Sequence, residues 1–185
     1  MIVIHIQSTD DTRDFSGIYD GLDAEIFINP SASVLRNALA NETDTVVLIG
    51  HGSELGLYNE RLDGYILSSR DVHLLRGKRV IGIWCYAANF AQRYGLEGFF
   101  TSNFISNREE MIDVGLSPFD DCETAIITEN RQFSSMINEM MQSNIDATEW
   151  VDRLQSYAET SDYQFVRYNY EALYYNNIDY DASEF

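Results

Sequence analysis

The chain has 185 residues, of which 45% are hydrophobic and 13% are aromatic. This composition excludes a disordered protein and supports one core, so we expect a single domain spanning residues 1–185. Thirty acidic residues against twelve basic ones give a net charge of −18, which repels nucleic acid and anionic lipid. We therefore expect neither nucleic acid nor a membrane as a partner. Most of the acid is expected on a solvated surface, and an acidic pocket for a basic substrate is the alternative.

The N-terminus and the cysteines both bear on the cellular compartment. Residues 1–6 enter a strand pattern directly, without a basic leader or a cleavage site. No apolar run approaches the roughly 20 residues that a bilayer requires. The sequence therefore predicts a cytoplasmic protein, in which thiols stay reduced. Two cysteines, Cys85 and Cys122, make no disulfide framework, so Cys85 is free to react.

Apolar runs alternate with helical patterns along the first hundred residues. Strands are predicted at residues 2–6, 24–29, 45–50, 79–84 and 98–102. The connections are predicted as a surface loop at 7–22, a helix after Ser31, a hairpin at 56–67, and helices at 68–76 and 86–94. This alternation indicates an α/β fold with a mostly parallel sheet.

The C-terminal third has a helical pattern. Apolar residues at helical spacing predict core-facing helices, and they are Phe133, Met136, Ile137, Met140, Met141, Trp150, Val151 and Leu154. Asp146 and Glu149 resemble a capping box at the start of the second of these helices. The tyrosine-rich residues 163–175 predict a strand, a turn and a strand.

Two of the predicted strands end on residues that can do chemistry. Residues 45–50 end at His51 and Gly52, and residues 79–84 end at Cys85. In an open α/β sheet, ligands bind beyond the carboxyl ends of the strands. The 34 positions between these residues (85 minus 51) accommodate a hairpin and a crossover helix, which suits neighbouring parallel strands. We therefore expect His51 and Cys85 to share one crevice.

A thiol and an imidazole in one crevice form a nucleophile and its proton carrier. Cys85 precedes a predicted helix, whose positive end is expected to lower the pKa of the thiol. His51 would accept the thiol proton or protonate a leaving amine. The backbone N–H groups of Gly52 and Cys85 are the predicted donors to an oxyanion.

Other templates for a reactive site fit the sequence less well. A cysteine-dependent phosphatase needs an arginine six positions after the cysteine, where this chain has Ala91. The three histidines, His5, His51 and His73, are too scattered for a zinc site. Gly50-His51-Gly52-Ser53-Glu54 lacks the serine at the centre of a nucleophile elbow. We therefore expect no metal and no cofactor, and a structural role for Cys122.

The segment around both residues resembles the caspase-like (clan CD) cysteine peptidases, a group that includes gingipains, separase and the bacterial CHAT-type domains. The resemblance covers residues 45–102: a strand ending in His51-Gly52, a hairpin, a helix, Leu75-Arg76-Gly77-Lys78-Arg79, and an apolar strand ending in Cys85. It extends weakly to residues 165–173. The resemblance implies a three-layer α/β/α sandwich and a bacterial-type peptidase.

The same resemblance implies hydrolysis of peptide bonds by a His51–Cys85 dyad, without an obligatory third residue. Many relatives have alanine before the nucleophile and small residues after it, whereas this chain has Trp84 and Tyr86. No acidic residue precedes Cys85, so a preference for cleavage after basic residues is not supported. The alternatives are an inactive caspase-like interaction module, and a cysteine-dependent hydrolase or acyl transferase acting on a small amide.

Overall fold

The structure is a computed structural model that describes residues 1–143, 145, 148–171 and 173–176. Its strands are β1 (Ile2–His5), β2 (Glu25–Ile28), β3 (Thr45–Ile49), β4 (Gly52–Ser53), β5 (Gly56–Tyr58), β6 (Tyr65–Ser68), β7 (Arg79–Ile83), β8 (Glu97–Phe100) and β9 (Tyr174–Asn176). Its α-helices are α1 (Asp10–Arg13), α2 (Ala32–Asn41), α3 (Ala87–Tyr94), α4 (Arg108–Asp113), α5 (Cys122–Gln142), α6 (Thr148–Thr160) and α7 (Gln164–Glu171). Two 3-10 helices span Asp14–Tyr19 and Ser69–Leu74.

Six strands form the central sheet, in the order β2-β1-β3-β7-β8-β9. The first five are parallel, and β9 is antiparallel to β8. The short strands β4, β5 and β6 make a separate antiparallel sheet directly after β3. The α/β class and the mostly parallel sheet are therefore confirmed, and the hairpin predicted at residues 56–67 is formed by β5 and β6.

Helices cover both faces of the central sheet because successive side chains of its strands point to opposite sides. One face packs against the C-terminal helices, through Val3, Val47, Ile81, Phe99, Phe133, Ile137, Trp150 and Leu154. The other face packs against α2 and α3, through Ile4, Leu48, Val80, Phe100, Leu35, Leu39 and Phe90. Strands buried on both faces explain the unbroken apolar runs of the sequence.

Two segments differ from the sequence prediction. Residues 7–22, expected as a surface loop, form α1 and a 3-10 helix, because Phe15 and Ile18 bury their side chains under α5. Residues 163–175, expected as two strands, form α7 followed by the start of β9. In α7 the residues Phe165, Val166, Asn169 and Tyr170 are buried, which is a helical spacing that the tyrosine content obscured.

The structure also gives the positions of other features that the sequence analysis singled out. Ser31 caps α2, its hydroxyl accepting a hydrogen bond from the Val34 N–H at 3.4 Å. Cys122 is the first residue of α5 and is buried. Asp146, the predicted helix cap, lies outside the described residues. No helix in the described part of the chain is long and apolar enough to cross a bilayer.

His5 ties the segment 10–19 to the sheet. It is fully buried at the end of β1, and its Nε2 donates to the Thr12 carbonyl at 2.8 Å. Its Nδ1 lies 3.1 Å from the Tyr19 hydroxyl. Burial lowers the pKa of His5 from 6.5 to about 4, only partly offset by the Thr12 hydrogen bond, so the ring is neutral at neutral pH. The sequence did not indicate this supporting role.

The burial of His5 predicts a loss of stability in acid. The unfolded chain binds a proton at His5 below pH 6.5 whereas the folded protein does not, so the free energy of unfolding falls as the pH drops from 6.5 towards 4. His5→Gln removes this contribution and, by breaking buried hydrogen bonds, should cost about 1–3 kcal/mol at pH 7. Urea unfolding at pH 7 and pH 5 measures both effects.

The matched control is His73→Gln, because His73 is exposed on the 3-10 helix Ser69–Leu74. We expect this variant to keep the wild-type stability and pH dependence. An unchanged pH dependence in His5→Gln would contradict the neutral, buried state of His5.

Candidate active site

The pairing of β3 with β7 brings His51 and Cys85 to one edge of the sheet. Ile49 and Ile83 are register partners, and the Gly50 N–H donates to the Ile83 carbonyl at 3.1 Å. The candidate catalytic residue lies two positions beyond the last residue of each strand. His51 and Cys85 line the same cavity, which also contacts Thr12, Phe104 and Ser106. The cavity measures only about 20 Å³, room for a single water molecule.

The turn that carries Cys85 is fixed by the end of the neighbouring strand β8. The Thr101 hydroxyl donates to the Trp84 carbonyl at 2.9 Å, and the Trp84 N–H donates to the same hydroxyl oxygen at 3.1 Å. The Tyr86 N–H donates to the Ser102 carbonyl at 3.0 Å. Tyr86 has a φ of 66°, a left-handed conformation that is unfavourable for a tyrosine. Such strain is concentrated at functional sites.

The two bulky neighbours of Cys85 lie in surroundings different from those of the thiol. Trp84 packs in the core on the α2–α3 face of the sheet, and Cys85 packs towards the opposite face. The Trp84 indole lies against Gly52 and Gly82, where any larger residue would overlap the ring. The Tyr86 side chain is 40% exposed. Gly52 is therefore required for close packing at the start of β4.

Three side chains surround the His51 ring. Nε2 lies 2.8 Å from the Thr9 hydroxyl and 3.5 Å from Asp11 Oδ2. Nδ1 lies 3.9 Å from Glu110 Oε1. The side chains of His51, Asp11 and Glu110 are 18%, 12% and 26% exposed. The sequence prediction missed both carboxylates, because Asp11 lies in a segment predicted as a surface loop and no element was predicted around Glu110.

The two carboxylates are joined by a shared set of donors. The Ser106 hydroxyl lies 2.8 Å from Asp11 Oδ2 and 2.9 Å from Glu110 Oε2. The Asn107 side chain donates to Asp11 Oδ2 at 2.8 Å, and the Ser106 N–H donates to Glu110 Oε2 at 2.7 Å. Segments from the two halves of the chain therefore hold His51 in one orientation.

The charges of this cluster are mutually dependent. Burial opposes the charge of Asp11, but hydrogen bonds from His51, Thr9, Asn107 and Ser106 outweigh it and hold the pKa of Asp11 well below its usual range. Burial likewise opposes the charge of His51, but Asp11 and Glu110 outweigh it and raise the His51 pKa. Burial raises the Glu110 pKa. His51 is therefore stabilised as an imidazolium.

The pKa of the Cys85 thiol is shifted in the direction opposite to the one that the sequence predicted. Burial raises the pKa of Cys85 from 9.0 to about 12, and the charges of Glu110 and Asp11 add to the shift. The expected lowering by a helix N-terminus is wrong, because α3 begins two residues later, at Ala87, and the carboxylates lie nearby. Cys85 Sγ donates to the Phe104 carbonyl at 3.3 Å. The thiol is therefore neutral at neutral pH, beside a ring whose protonation the two carboxylates favour.

The remaining predicted residues lie at defined positions. Gly52 follows His51 directly and pairs with Leu57 in the small sheet. The oxyanion role of the Gly52 and Cys85 N–H groups stays a prediction. Cys122 is buried at the start of α5.

Asp11, His51 and Glu110 can also hold a cation. One donor atom from each residue lies within 4.8 Å of the other two. The histidine count of the sequence could not indicate such a site, because two of its three donors are carboxylates.

An open cleft of about 410 Å³ lies next to the site and is lined in part by Asp11 and Ser106. Its other charged residues include Asp10, Arg13, Asp14, Arg108, Glu109 and Arg131. Arg13 pairs with Asp10 at 2.7 Å and Arg131 with Asp14 at 3.0 Å. The cleft is therefore of mixed charge and is not the purely acidic pocket that a basic substrate would favour.

The raised pKa predicts a slow Cys85 thiol. A shift from 9.0 to about 12 lowers the thiolate fraction near pH 8, so alkylation by iodoacetamide should be about 10³-fold slower than for a free thiol. Glu110→Gln removes a nearby negative charge and should accelerate the reaction roughly three- to tenfold. Mass spectrometry of the Cys85 peptide measures the rate.

Glu109→Gln is the matched control, since the exposed Glu109 precedes Glu110 on α4. It should react at the wild-type rate. Rapid alkylation of wild-type Cys85, or equal rates in both variants, would contradict the electrostatic description of the thiol.

Comparison of the chain with protein-family models, with curated proteins and with solved structures gave no match.

Proposed function

We propose that the protein is a caspase-like cysteine endopeptidase that hydrolyses peptide bonds through a His51–Cys85 dyad. The observation that supports this most directly is the common cavity of the two side chains at the carboxyl ends of β3 and β7. Peptide hydrolysis by a cysteine needs a nucleophile and a proton carrier in one place, and chain positions 34 residues apart (85 minus 51) meet here.

The order of elements gives further support. β3 ends before His51-Gly52, the sheet β4–β5–β6 and a short helical segment follow, and β7 leads to Cys85. This is the succession that carries the resemblance to caspase-like peptidases. Helices on both faces of the sheet are compatible with the three-layer sandwich that the resemblance implies. The late strand–turn–strand that it implied for residues 165–173 is replaced by α7.

The reaction follows from the positions of the two groups. Cys85 Sγ attacks the peptide carbonyl carbon, and its proton passes to His51, which accepts it in the neutral imidazole form. His51 then protonates the leaving amine, which breaks the C–N bond and leaves an acyl-enzyme that water hydrolyses. The backbone N–H groups of Gly52 and Cys85 would stabilise the oxyanion, at roughly 2.7–4 kcal/mol for each donor.

The described conformation is a latent form of this enzyme. A cavity of about 20 Å³ has no room for a peptide, and the Phe104 carbonyl accepts the hydrogen bond of the thiol. The raised pKa of Cys85 also keeps its sulfur as a neutral thiol, which is a weaker nucleophile than the thiolate. Activation therefore requires residues 104–110 to move away from the dyad, which would admit substrate and remove Glu110 from the thiol. Residues 103–121, where we look first for a processing site, include this segment.

The second candidate is an inactive caspase-like interaction module. The closed cavity and the raised Cys85 pKa favour it, because a neutral, enclosed thiol is also what an inactive domain would have. The strained Tyr86 and the network around His51 favour the enzyme, since an inactive module has no need of either. A hydrolase or acyl transferase acting on a small amide would use the same dyad and need less space.

The substrate and compartment belong to the same proposal. We propose a peptide or protein substrate in the cytoplasm, with a partner protein as a further candidate for the opening step. No cofactor takes part in the proposed reaction, which uses only the thiol, the imidazole and water.

A peptide-library cleavage assay tests the proposal. Wild-type protein should cleave a defined subset of peptides, slowly at first because of the closed site. Cys85→Ala and His51→Ala should abolish cleavage, because each removes one member of the dyad. Cys122→Ala is the matched control and should retain the wild-type rate.

The assay is repeated after limited proteolysis between residues 103 and 121, which should raise the rate by opening the site. Cleavage that persists in Cys85→Ala would refute the proposal. Absence of cleavage before and after proteolysis would favour the interaction module.

A further inference from the structure

We propose that Asp11, His51 and Glu110 form a binding site for a divalent transition-metal ion, with Zn²⁺ as the best fit. One donor atom from each side chain lies within 4.8 Å of the others. His51 Nε2 lies 3.5 Å from Asp11 Oδ2, and the other ring nitrogen, Nδ1, lies 3.9 Å from Glu110 Oε1. Only one ring nitrogen can bind the ion, and donors around a tetrahedral Zn²⁺ lie about 3.3 Å apart, so one of the carboxylate side chains must rotate towards that nitrogen.

The charge and burial of the three residues fit a cation. Two carboxylates face a single imidazole, and all three side chains are at most 26% exposed. A divalent ion would neutralise both carboxylates in a place where water screens them poorly. The imidazole favours Zn²⁺ over Ca²⁺ and Mg²⁺, and Ca²⁺ would also need six to eight oxygen ligands.

The surroundings supply what a metal site requires beyond its ligands. Asn107 and Ser106 donate hydrogen bonds to Asp11 Oδ2, and the Ser106 N–H donates to Glu110 Oε2. Such outer hydrogen bonds orient carboxylate ligands. Glu110 keeps Oε1 for the ion, and Asp11 faces His51 with Oδ2, the oxygen that also accepts these hydrogen bonds.

An open cleft gives the ion a route to the cluster. The cavity of about 20 Å³ reaches His51 from the side of Cys85, and neither Asp11 nor Glu110 lines it. The open cleft of about 410 Å³ reaches Asp11 and Ser106 from the solvent side. An ion can therefore reach the cluster without unfolding of the protein.

One consequence rests on the proposed function, whereas the binding itself does not. A ring nitrogen that coordinates Zn²⁺ cannot carry the proton of Cys85. The ion would also join α1 to α4 and so hold residues 104–110 in the closed position. Zn²⁺ would therefore act as a reversible inhibitor that stabilises the latent form.

The test uses Cys85→Ala protein, so that the thiol neither binds the metal nor contributes activity. Titration with ZnCl₂ against a chromogenic chelator should show one Zn²⁺ per chain, with Ca²⁺ and Mg²⁺ unable to displace it. Adding Asp11→Asn or Glu110→Gln to this protein should weaken the affinity at least tenfold. The matched controls Asp10→Asn and Glu109→Gln should leave it unchanged.

A second measurement does not depend on how well the variants fold. Equimolar Zn²⁺ should raise the melting temperature of Cys85→Ala protein that keeps all three ligands, because it binds only the folded state. No binding and no such rise, or equal affinity in all four variants, would overturn the site.

Activity provides a separate readout. If metal-free wild-type protein cleaves peptides, Zn²⁺ should inhibit it and EDTA should restore the rate. Binding without inhibition would overturn the regulatory role and leave the site in place. Absence of peptidase activity in metal-free protein would count against the proposed function, whatever the result of the titration.

Discussion

The parallel pairing of β3 with β7 is the constraint on which the site depends. It places the ends of both strands at one edge of the sheet, so that His51 and Cys85 line a single cavity. The turn after β7 is in turn fixed by Thr101 and Ser102 at the end of β8. Three adjacent strands therefore determine the position of the thiol, and its distance from His51 does not depend on a loop alone.

Two carboxylates from segments far apart in the chain influence the protonation of His51 and Cys85. Asp11 and Glu110 stabilise the charge on His51 and oppose a charge on Cys85. The Ser106 hydroxyl lies within hydrogen-bond distance of both carboxylates. A movement of residues 104–110 would therefore affect the hydrogen bonding of both. One local displacement would thus change access to the thiol and its ionisation at the same time.

Sequence reasoning succeeded where a local pattern carries the information. The unbroken apolar runs identified β3 and β7, and the predicted residues that follow them, His51 and Cys85, line a common cavity. It failed at residues 7–22, where polar side chains concealed the buried positions Phe15 and Ile18. It also failed for the thiol pKa, because a helix N-terminus is visible in a sequence, whereas burial and a carboxylate from α4 are not.

By itself, the sequence determined the α/β class, the mostly parallel sheet and the two strands that end on His51 and Cys85. Periodicity and β-branched runs encode these features, since backbone hydrogen bonding and burial act along the local chain. Only the tertiary structure decided that Asp11 and Glu110 flank His51, because Ser106 and Asn107 meet Asp11 across 95 and 96 positions of the chain. Electrostatic energies depend on distance in space and on burial, and neither can be read from the order of residues.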